Sequence, residues 1–286
     1  MATSTVNGFL VVDKPKGITS AEVVRRLKKV LKVKKIGHTG TLDPLATGVL
    51  IVAVGKATRF SEYLLKKNKC YVVKGTFGLK SDTYDIDGKV EKVECREIDK
   101  DSLLKTLENF KGEIEQVPPP FSAIRVNGKR AYELARKGEK VELKPRKVRI
   151  YSLELLDFNY PDFTLKVCCS SGTYIRSLIN DIGKSLSCSA VVSELRRVKI
   201  GKVDEKVAIP LSKITKENVK KFLISIDELL DFPKIVLSPE EGKRFKNGVK
   251  LKVREKEGTY KVYVFDTFIG IGVVKSNLLK PQKVLS

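Results

Sequence analysis

Apolar and polar positions recur with two different periods along the chain, which predicts both strands and helices. Short apolar or alternating runs predict strands at residues 8–14, 49–54, 70–78 and 163–169. In the third of these runs, Tyr71, Val73 and Phe77 fall on one face of the strand.

Two stretches carry apolar residues at the three- and four-residue spacing of a helix. The first follows Thr19, which stands three residues before Glu22, the spacing of a capping box. The second, residues 173–186, comes after a strand and a small-residue turn. It places Tyr174 and Arg176 at a helix N-terminus, a position suited to anions. Further helices are predicted near 57–65 and as a pair over 211–231.

The pattern changes beyond Pro233 to short strands and glycine turns, which predicts a small β domain at 232–286 after a larger domain at 1–231. Strands and helices do not alternate strictly in the larger part. The fold class predicted is therefore α+β rather than a doubly wound parallel sheet.

Basic side chains greatly outnumber acidic ones: 56 Lys and Arg stand against 34 Asp and Glu, a net charge of +22. A surface rich in ion-pair networks, as in thermostable proteins, would carry nearly equal numbers of both signs. The excess therefore favours a polyanionic partner, and nucleic acid in particular.

Composition also excludes several classes of protein. No apolar run reaches the roughly 18–20 residues of a membrane helix, and the N-terminal MATSTVNGF has no secretory pattern, so we expect a cytoplasmic protein. The five cysteines are odd in number and contain no C-x-x-C pair, which argues against a disulfide framework and a zinc site. With one histidine, no ligand set for a transition metal is visible.

Two segments concentrate the positive charge. Residues 25–35 carry seven cations and no acid, and residues 117–147 form a proline-containing basic insertion. A solvated helix face and a phosphate contact explain the first equally well. For the second, a mobile surface loop and a binding segment are both open.

The segment GHTGTLDPLATG, residues 37–48, holds the only histidine, His38, and an aspartate, Asp43, directly before a proline. The proline restricts Asp43 to extended backbone, and Gly40 and Gly48 permit close approach of a ligand. Such an aspartate is commonly a turn-former, but a single immobilised carboxylate can also act as a nucleophile or base. SDTYDIDG, residues 81–88, lacks the distal glutamate of a calcium loop and predicts a hairpin turn.

Six segments together resemble the TruB family of tRNA pseudouridine synthases, in the family's order and over nearly the whole chain. They are DKPKGITS (13–20), GHTGTLDPLATGVL (37–50), KCYVV (69–73), SDTYDIDG (81–88), SGTYIRSLINDIG (171–183) and SELRR (193–197). The resemblance implies isomerisation of uridine 55 in the T-loop of tRNA to pseudouridine, with no cofactor and no metal.

The resemblance also implies roles for individual residues. Asp43 matches the catalytic carboxylate, Tyr71 the aromatic residue that stacks on the target base, and Arg176 the cation that pairs with the aspartate and keeps it ionised. The remaining matched positions contact the extruded nucleotides, line the base pocket or support the site: His38, Tyr174, Leu195 and Lys14. Extrusion of a base into such a pocket is the general solution for enzymes that modify it.

The implied architecture is a mixed, largely antiparallel sheet with helices packed on it, followed by a PUA-like domain that binds RNA. The insertion at 117–147 would clamp the T-arm stem-loop of tRNA, and we expect a monomer. Two alternatives stay open: a guide-RNA-dependent pseudouridine synthase, which the long insertion disfavours, and a non-catalytic tRNA-binding or folding protein.

Overall fold

The computed structural model describes residues 6–122, 124–126, 128–139 and 142–285. The helices are α1 Ser20–Leu31, α2 Ser61–Leu65, α3 Lys100–Glu108, α4 Ala131–Arg136, α5 Ile175–Ser185, α6 Val219–Phe222 and α7 Pro239–Lys246. In these ranges, no helix combines the length and apolar character needed to cross a membrane.

The strands, in chain order, form one large sheet, one smaller sheet and two hairpins. They are β1 Gly8–Lys14, β2 Ile36–His38, β3 Thr47–Val54, β4 Lys69–Phe77, β5 Leu79–Ser81, β6 Val90–Lys92, β7 Gly112–Gln116, β8 Arg125–Val126, β9 Lys129–Arg130, β10 Arg146–Asn159, β11 Asp162–Cys169, β12 Ala190–Ile200, β13 Val203–Asp204, β14 Ile209–Pro210, β15 Lys234–Leu237, β16 Leu251–Lys252, β17 Gly258–Val264, β18 Thr267–Lys275 and β19 Leu278–Val284.

The large sheet has the order β14-β1-β3-β12-β4-β11-β10-β7, with β2 attached to β3 and β13 to β12. Its neighbours are antiparallel except for the β1–β14 and β3–β12 pairs. Helices α1, α3 and α5 pack on one face of this sheet over a continuous apolar core. The predicted α+β class, with a mixed and largely antiparallel sheet, is confirmed.

The smaller sheet, β15-β17-β18-β19-β16, packs with α7 around its own core and touches the other face of the large sheet. Ile271 of β18 lies in one cluster with Phe9, Val49 and Ile51 of the large sheet. The large sheet is therefore covered on both faces. The 37–48 loop lies on the face that carries α1 and α5, because Leu42 contacts Ser20 of α1 and Asp43 contacts Arg176 of α5.

The sequence predictions for the helices are confirmed at the two most periodic stretches. Helix α1 begins after Thr19, whose side chain accepts the backbone N–H of Glu22 at 3.0 Å. Glu22 does not complete a capping box; its carboxylate instead pairs with Arg25 and Arg26. Helix α5 starts directly after Tyr174, as predicted.

The predicted helix pair at 211–231 is wrong. This stretch contains one four-residue helix, α6, between short 3₁₀ turns. Ile224 exchanges two backbone hydrogen bonds of 2.9 Å with Phe9, so this part of the chain pairs with the edge of β1 instead of bonding to itself. Likewise the helix expected near 57–65 begins as a 3₁₀ turn and becomes α-helical only at Ser61.

The prediction that the cysteines do not form a disulfide framework is also wrong. Disulfides join Cys70 to Cys168 and Cys95 to Cys188, and Cys169 alone is free and buried. Cys70 and Cys168 face each other because β4 and β11 pair in that register. The partners of each bond are more than ninety residues apart in sequence, at separations of 98 and 93, so spacing alone cannot reveal them.

We expect reduction of these disulfides to lower the free energy of unfolding by about 2–4 kcal/mol each, because each bond closes a long loop in the unfolded chain. Denaturant unfolding with and without dithiothreitol measures this difference. A variant with serine at Cys70, Cys95, Cys168 and Cys188 is the control and should not respond to the reductant. Equal stability of the wild-type chain in both conditions would contradict the expectation.

Candidate active site

The 37–48 segment runs from β2 into β3 and is held in place by hydrogen bonds. The backbone N–H of Ala46 donates to the carbonyl of Asp43 at 3.0 Å, which closes a tight turn through Pro44. The Ser20 hydroxyl, at the start of α1, exchanges hydrogen bonds with the backbone of Leu42 at 2.8 and 3.1 Å. The turn at Asp43 is therefore tied to a helix, which holds the carboxylate in place.

A buried guanidinium holds the other side of this loop. Arg197 of β12 is 1% exposed and donates to the carbonyls of Gly40, Thr41 and Val49 at 3.1, 3.3 and 2.8 Å. At Gly48, φ is +98° and a Cβ would lie 2.3 Å from the Arg197 carbonyl oxygen, so only glycine fits there. The sequence suggested that a ligand approaches closely at this glycine. In the structure the group that approaches it is the protein's own backbone at Arg197.

Asp43 is paired with Arg176, the cation that sequence reasoning selected. The Arg176 Nε lies 2.8 Å from Asp43 Oδ2 and 3.6 Å from Asp85 Oδ2. The two terminal nitrogens of Arg176 donate to the carbonyls of Thr83 and Phe121 at 2.8 and 3.0 Å. The Arg176 side chain is 6% exposed and that of Asp43 is 34% exposed, so solvent and ligands reach the carboxylate but not its cation.

Asp85 is a functional candidate that sequence reasoning missed. Its side chain is 7% exposed and accepts the Thr83 hydroxyl at 2.6 Å. Burial raises the pKa of Asp85, while Thr83 and the nearby Arg176 act in the opposite direction. The predicted hairpin turn is confirmed, since β5 and β6 pair around this segment. A turn has no regular spacing of buried positions, so the sequence does not show which of its three aspartates points inward.

Two of the predicted site residues, Tyr71 and Leu195, belong to the apolar core beside the loop. Tyr71 and Leu195, both 7% exposed, belong to the same apolar cluster as Leu42 and Leu45 of the loop. They lie on the neighbouring antiparallel strands β4 and β12, in which the backbone of Arg197 is opposite that of Tyr71. Burial raises the pKa of the Tyr71 phenol, so it stays protonated at neutral pH.

Tyr174 precedes α5 and is fixed by Gln116. Its backbone N–H donates to Gln116 Oε1 at 2.8 Å, and its carbonyl accepts Gln116 Nε2 at 3.0 Å. Burial also raises the pKa of its phenol. These contacts set the start of α5 and hence the direction from which Arg176 approaches Asp43.

Lys14 and His38 contact the loop backbone rather than the carboxylate. Lys14 is fully buried and donates to the carbonyls of Pro15 and Ile18 at 2.8 and 2.7 Å, and to that of Pro44 at 3.4 Å. Burial lowers its pKa to about 8. The backbone N–H of Gly40 donates to His38 Nδ1 at 3.4 Å, and burial followed by Arg197 lowers the pKa of the imidazole.

The structure offers no obvious place for a metal ion: within the described part of the chain, no group of three His, Cys, Asp or Glu side chains is close enough to bind one. A cavity of about 670 Å³ lies beside the loop, with Lys14, Thr47 and Arg196 in its lining, but Asp43 does not line it. The chemistry available at Asp43 is that of one partly exposed carboxylate paired with a buried guanidinium.

Replacing Lys14 by methionine should change how stability depends on pH. The folded chain loses the Lys14 proton near pH 8, whereas the unfolded chain keeps it up to about pH 10.4. Stability rises with pH wherever the unfolded state binds more protons. We therefore expect the wild-type chain to gain up to about 3 kcal/mol over Lys14→Met between pH 7 and pH 10.

Urea unfolding at both pH values measures this gain. Lys28→Met, on the exposed face of α1, is the control for loss of one positive charge. A stability difference between the wild type and Lys14→Met that is the same at both pH values would contradict a buried ammonium at this position.

Comparison with known proteins places this chain in a class. The model of the TruB family pseudouridylate synthase N-terminal domain matches residues 28–175, and two TruB C-terminal models match 176–231 and 233–285. The tRNA pseudouridine synthase B of Aquifex aeolicus is 45% identical over 98% of this chain and 100% of its own length. That of Clostridium kluyveri is 41% identical over 98% and 99%.

Solved structures agree with the sequence matches. A structure of an H/ACA RNP bound to a substrate RNA containing 2′-deoxyuridine matches with a TM-score of 0.75 and 26% identity, over 98% of this chain and 85% of that one. A Cbf5-Nop10-Gar1 complex matches with a TM-score of 0.75 and 28% identity, over 97% and 84%. The fold and the site thus define an isomerase of the pseudouridine synthase class. The chain belongs to the TruB family of pseudouridylate synthases.

Proposed function

We propose that this protein isomerises uridine 55 in the T-loop of tRNA to pseudouridine, with Asp43 as the catalytic carboxylate. The observation that carries the proposal is the 2.8 Å pair between a partly exposed Asp43 and a buried Arg176, in a chain whose relatives are tRNA pseudouridine synthases. Isomerisation needs no redox step and no group transfer from a second molecule, which fits a site built around one carboxylate.

The surroundings of Asp43 suit an extruded uridine. Tyr71 is proposed to stack on the base, and Leu195 and Tyr174 to line its pocket; Tyr71 and Leu195 belong to one apolar cluster. Arg176 lies beside Asp43 without blocking its solvent-facing side. Lys14, through Pro44, and His38, through Gly40, support the loop. His38 is also proposed to contact the extruded nucleotides.

The basic insertion at 117–147 is proposed to clamp the T-arm, and its attachment supports this role. The carbonyl of Val117 accepts the Ser177 hydroxyl at 2.7 Å, and that of Phe121 accepts Arg176 at 3.0 Å. The insertion therefore starts at the first turn of α5, beside Asp43. Positions 123, 127, 140 and 141 of the predicted insertion lie outside the described residues.

The remaining parts of the proposal concern the whole molecule. The segment 232–286 is proposed as a PUA-like RNA-binding domain that follows a catalytic domain at 1–231. We propose a monomer acting in the cytoplasm on tRNA without a cofactor. The net charge of +22 supports a polyanionic substrate.

A guide-dependent enzyme is the second candidate, because the similar solved structures include a ribonucleoprotein and a Cbf5 complex. The full-length matches to tRNA pseudouridine synthase B proteins at 40–45% identity favour the stand-alone enzyme. A non-catalytic RNA-binding protein would not need an exposed carboxylate held by a buried guanidinium.

Incubation of the purified protein with an unmodified tRNA transcript, with no guide RNA, tests the proposal. If uridine carries tritium at ring carbon five, isomerisation must release it to water. Release without a guide supports the stand-alone enzyme. Release only after a guide RNA and partner proteins are added would support the second candidate.

A further inference from the structure

The turn between β17 and β18 presents an aromatic side chain that folding does not require. Phe265 is 70% exposed, more than any other large apolar residue in the described ranges. Its φ of +52° lies in the left-handed region, which is unfavourable for a bulky residue. Glycine, asparagine or aspartate is favoured in two-residue turns of this kind. An exposed aromatic ring and a left-handed backbone both make phenylalanine a less stabilising choice at position 265 than a small polar residue would be.

Phe265 borders a concave surface between this turn and helix α7. A cavity of about 370 Å³ has Val264 and Ile269 in its apolar lining and Lys243 and Lys246 along α7. Helix α7 lies close against β17 because Gly242 has no side chain: a Cβ there would lie 2.2 Å from Val264 Cγ2. The cavity is therefore fixed by the packing of a helix on a sheet.

The charged side chains that line this cavity are those of Lys243 and Lys246. Lys243 and Lys246 are exposed, and within the described ranges neither is in an ion pair. The acidic residue of the turn, Asp266, lies 4.0 Å from Lys234, which is also placed 4.4 Å above the Tyr263 ring. Residues 232–285 contain twelve basic and five acidic side chains.

We propose that α7 and the β17–β18 turn bind one unpaired nucleotide of the RNA substrate, with its base stacked on Phe265 and its phosphates at Lys243 and Lys246. An aromatic platform beside cations is the general means by which proteins hold single-stranded nucleic acid. Lysine is depleted at protein–protein interfaces, so the two lysines favour RNA over a protein partner. This inference rests on the proposed function, because it takes RNA as the substrate.

The chain contains no tryptophan, so Phe265→Trp would place a single fluorescent reporter in the proposed site. The measurement uses the full chain with Asp43→Asn in addition, so that bound RNA is not turned over. An unmodified tRNA transcript should quench the reporter as it binds. The control is Tyr151→Trp, at a 51% exposed position of β10 in the large sheet, where little quenching is expected.

Binding of the same transcript to Phe265→Ala should be roughly 5- to 150-fold weaker than to the wild type, and Phe265→Tyr should restore most of the loss. Equal quenching at positions 265 and 151, no quenching at 265, or unchanged affinity of Phe265→Ala would each overturn the site. None of these readouts requires turnover. Failure of the isomerase proposal would instead appear as absent tritium release from the wild-type chain.

Discussion

Asp43→Asn should abolish isomerisation, with a loss of at least roughly a thousandfold in turnover. Asparagine keeps the size of the side chain and its place before Pro44 but removes the negative charge. Whether the carboxylate attacks the ribose, attacks the uracil ring or removes a sugar proton, the amide cannot replace it. Single-turnover tritium release from labelled tRNA measures the effect.

RNA affinity should be nearly unchanged in this variant, because Asp43 contributes no positive charge to binding. Asp82→Asn, in the exposed part of the β5–β6 turn, is a matched control for loss of one carboxylate and should keep its turnover. If Asp43→Asn retained turnover, or if the cellular function survived the substitution, a non-catalytic RNA-binding protein would be the better account.

Arg176→Met should reduce both activity and stability. The methionine leaves Asp43 and the buried Asp85 without their cation, and breaking a buried pair in this way costs up to about 3–5 kcal/mol of folding free energy. It also releases the carbonyls of Thr83 and Phe121. We expect turnover to fall by about a hundredfold or more, since the carboxylate is no longer held.

Arg176→Lys separates charge from geometry, because lysine keeps one positive charge without the guanidinium fork. It should recover part of the stability and little of the turnover. Arg96→Met, on the exposed segment after β6, is the matched control and should behave like the wild type. Denaturant unfolding and single-turnover kinetics measure the two effects. Wild-type turnover in Arg176→Met would contradict the assigned pairing.

Periodicity predicted the elements whose burial pattern is local. Strands β4 and β11 and helix α1 each bury one regular face or stripe, whereas β1, β3 and α5 are buried along nearly their whole length. All six were found where the pattern placed them. Helix α7 was missed, although Ser238 and Glu241 form a capping box around Pro239. A short helix carries few periodic positions, so the capping residues were its main signal.

Features that depend on distant pairing could not be read from the chain. The 211–231 stretch forms backbone hydrogen bonds with β1 where two helices were predicted. The disulfide between β4 and β11 depends on the register of these two strands. The Asp43–Arg176 contact was implied by the family resemblance and is present at 2.8 Å. The third member of this cluster, Asp85, becomes visible only when the hairpin folds against α5. The catalytic and binding roles of these residues stay predictions.

The most direct test of the account compares two labelled tRNA transcripts that differ only at position 55. The wild-type chain, without guide RNA, should release close to one tritium per molecule from the transcript with uridine at this position. It should release none from the transcript with cytidine there. Release from both transcripts, or from neither, would contradict the proposal that the carboxylate of Asp43 acts on that uridine.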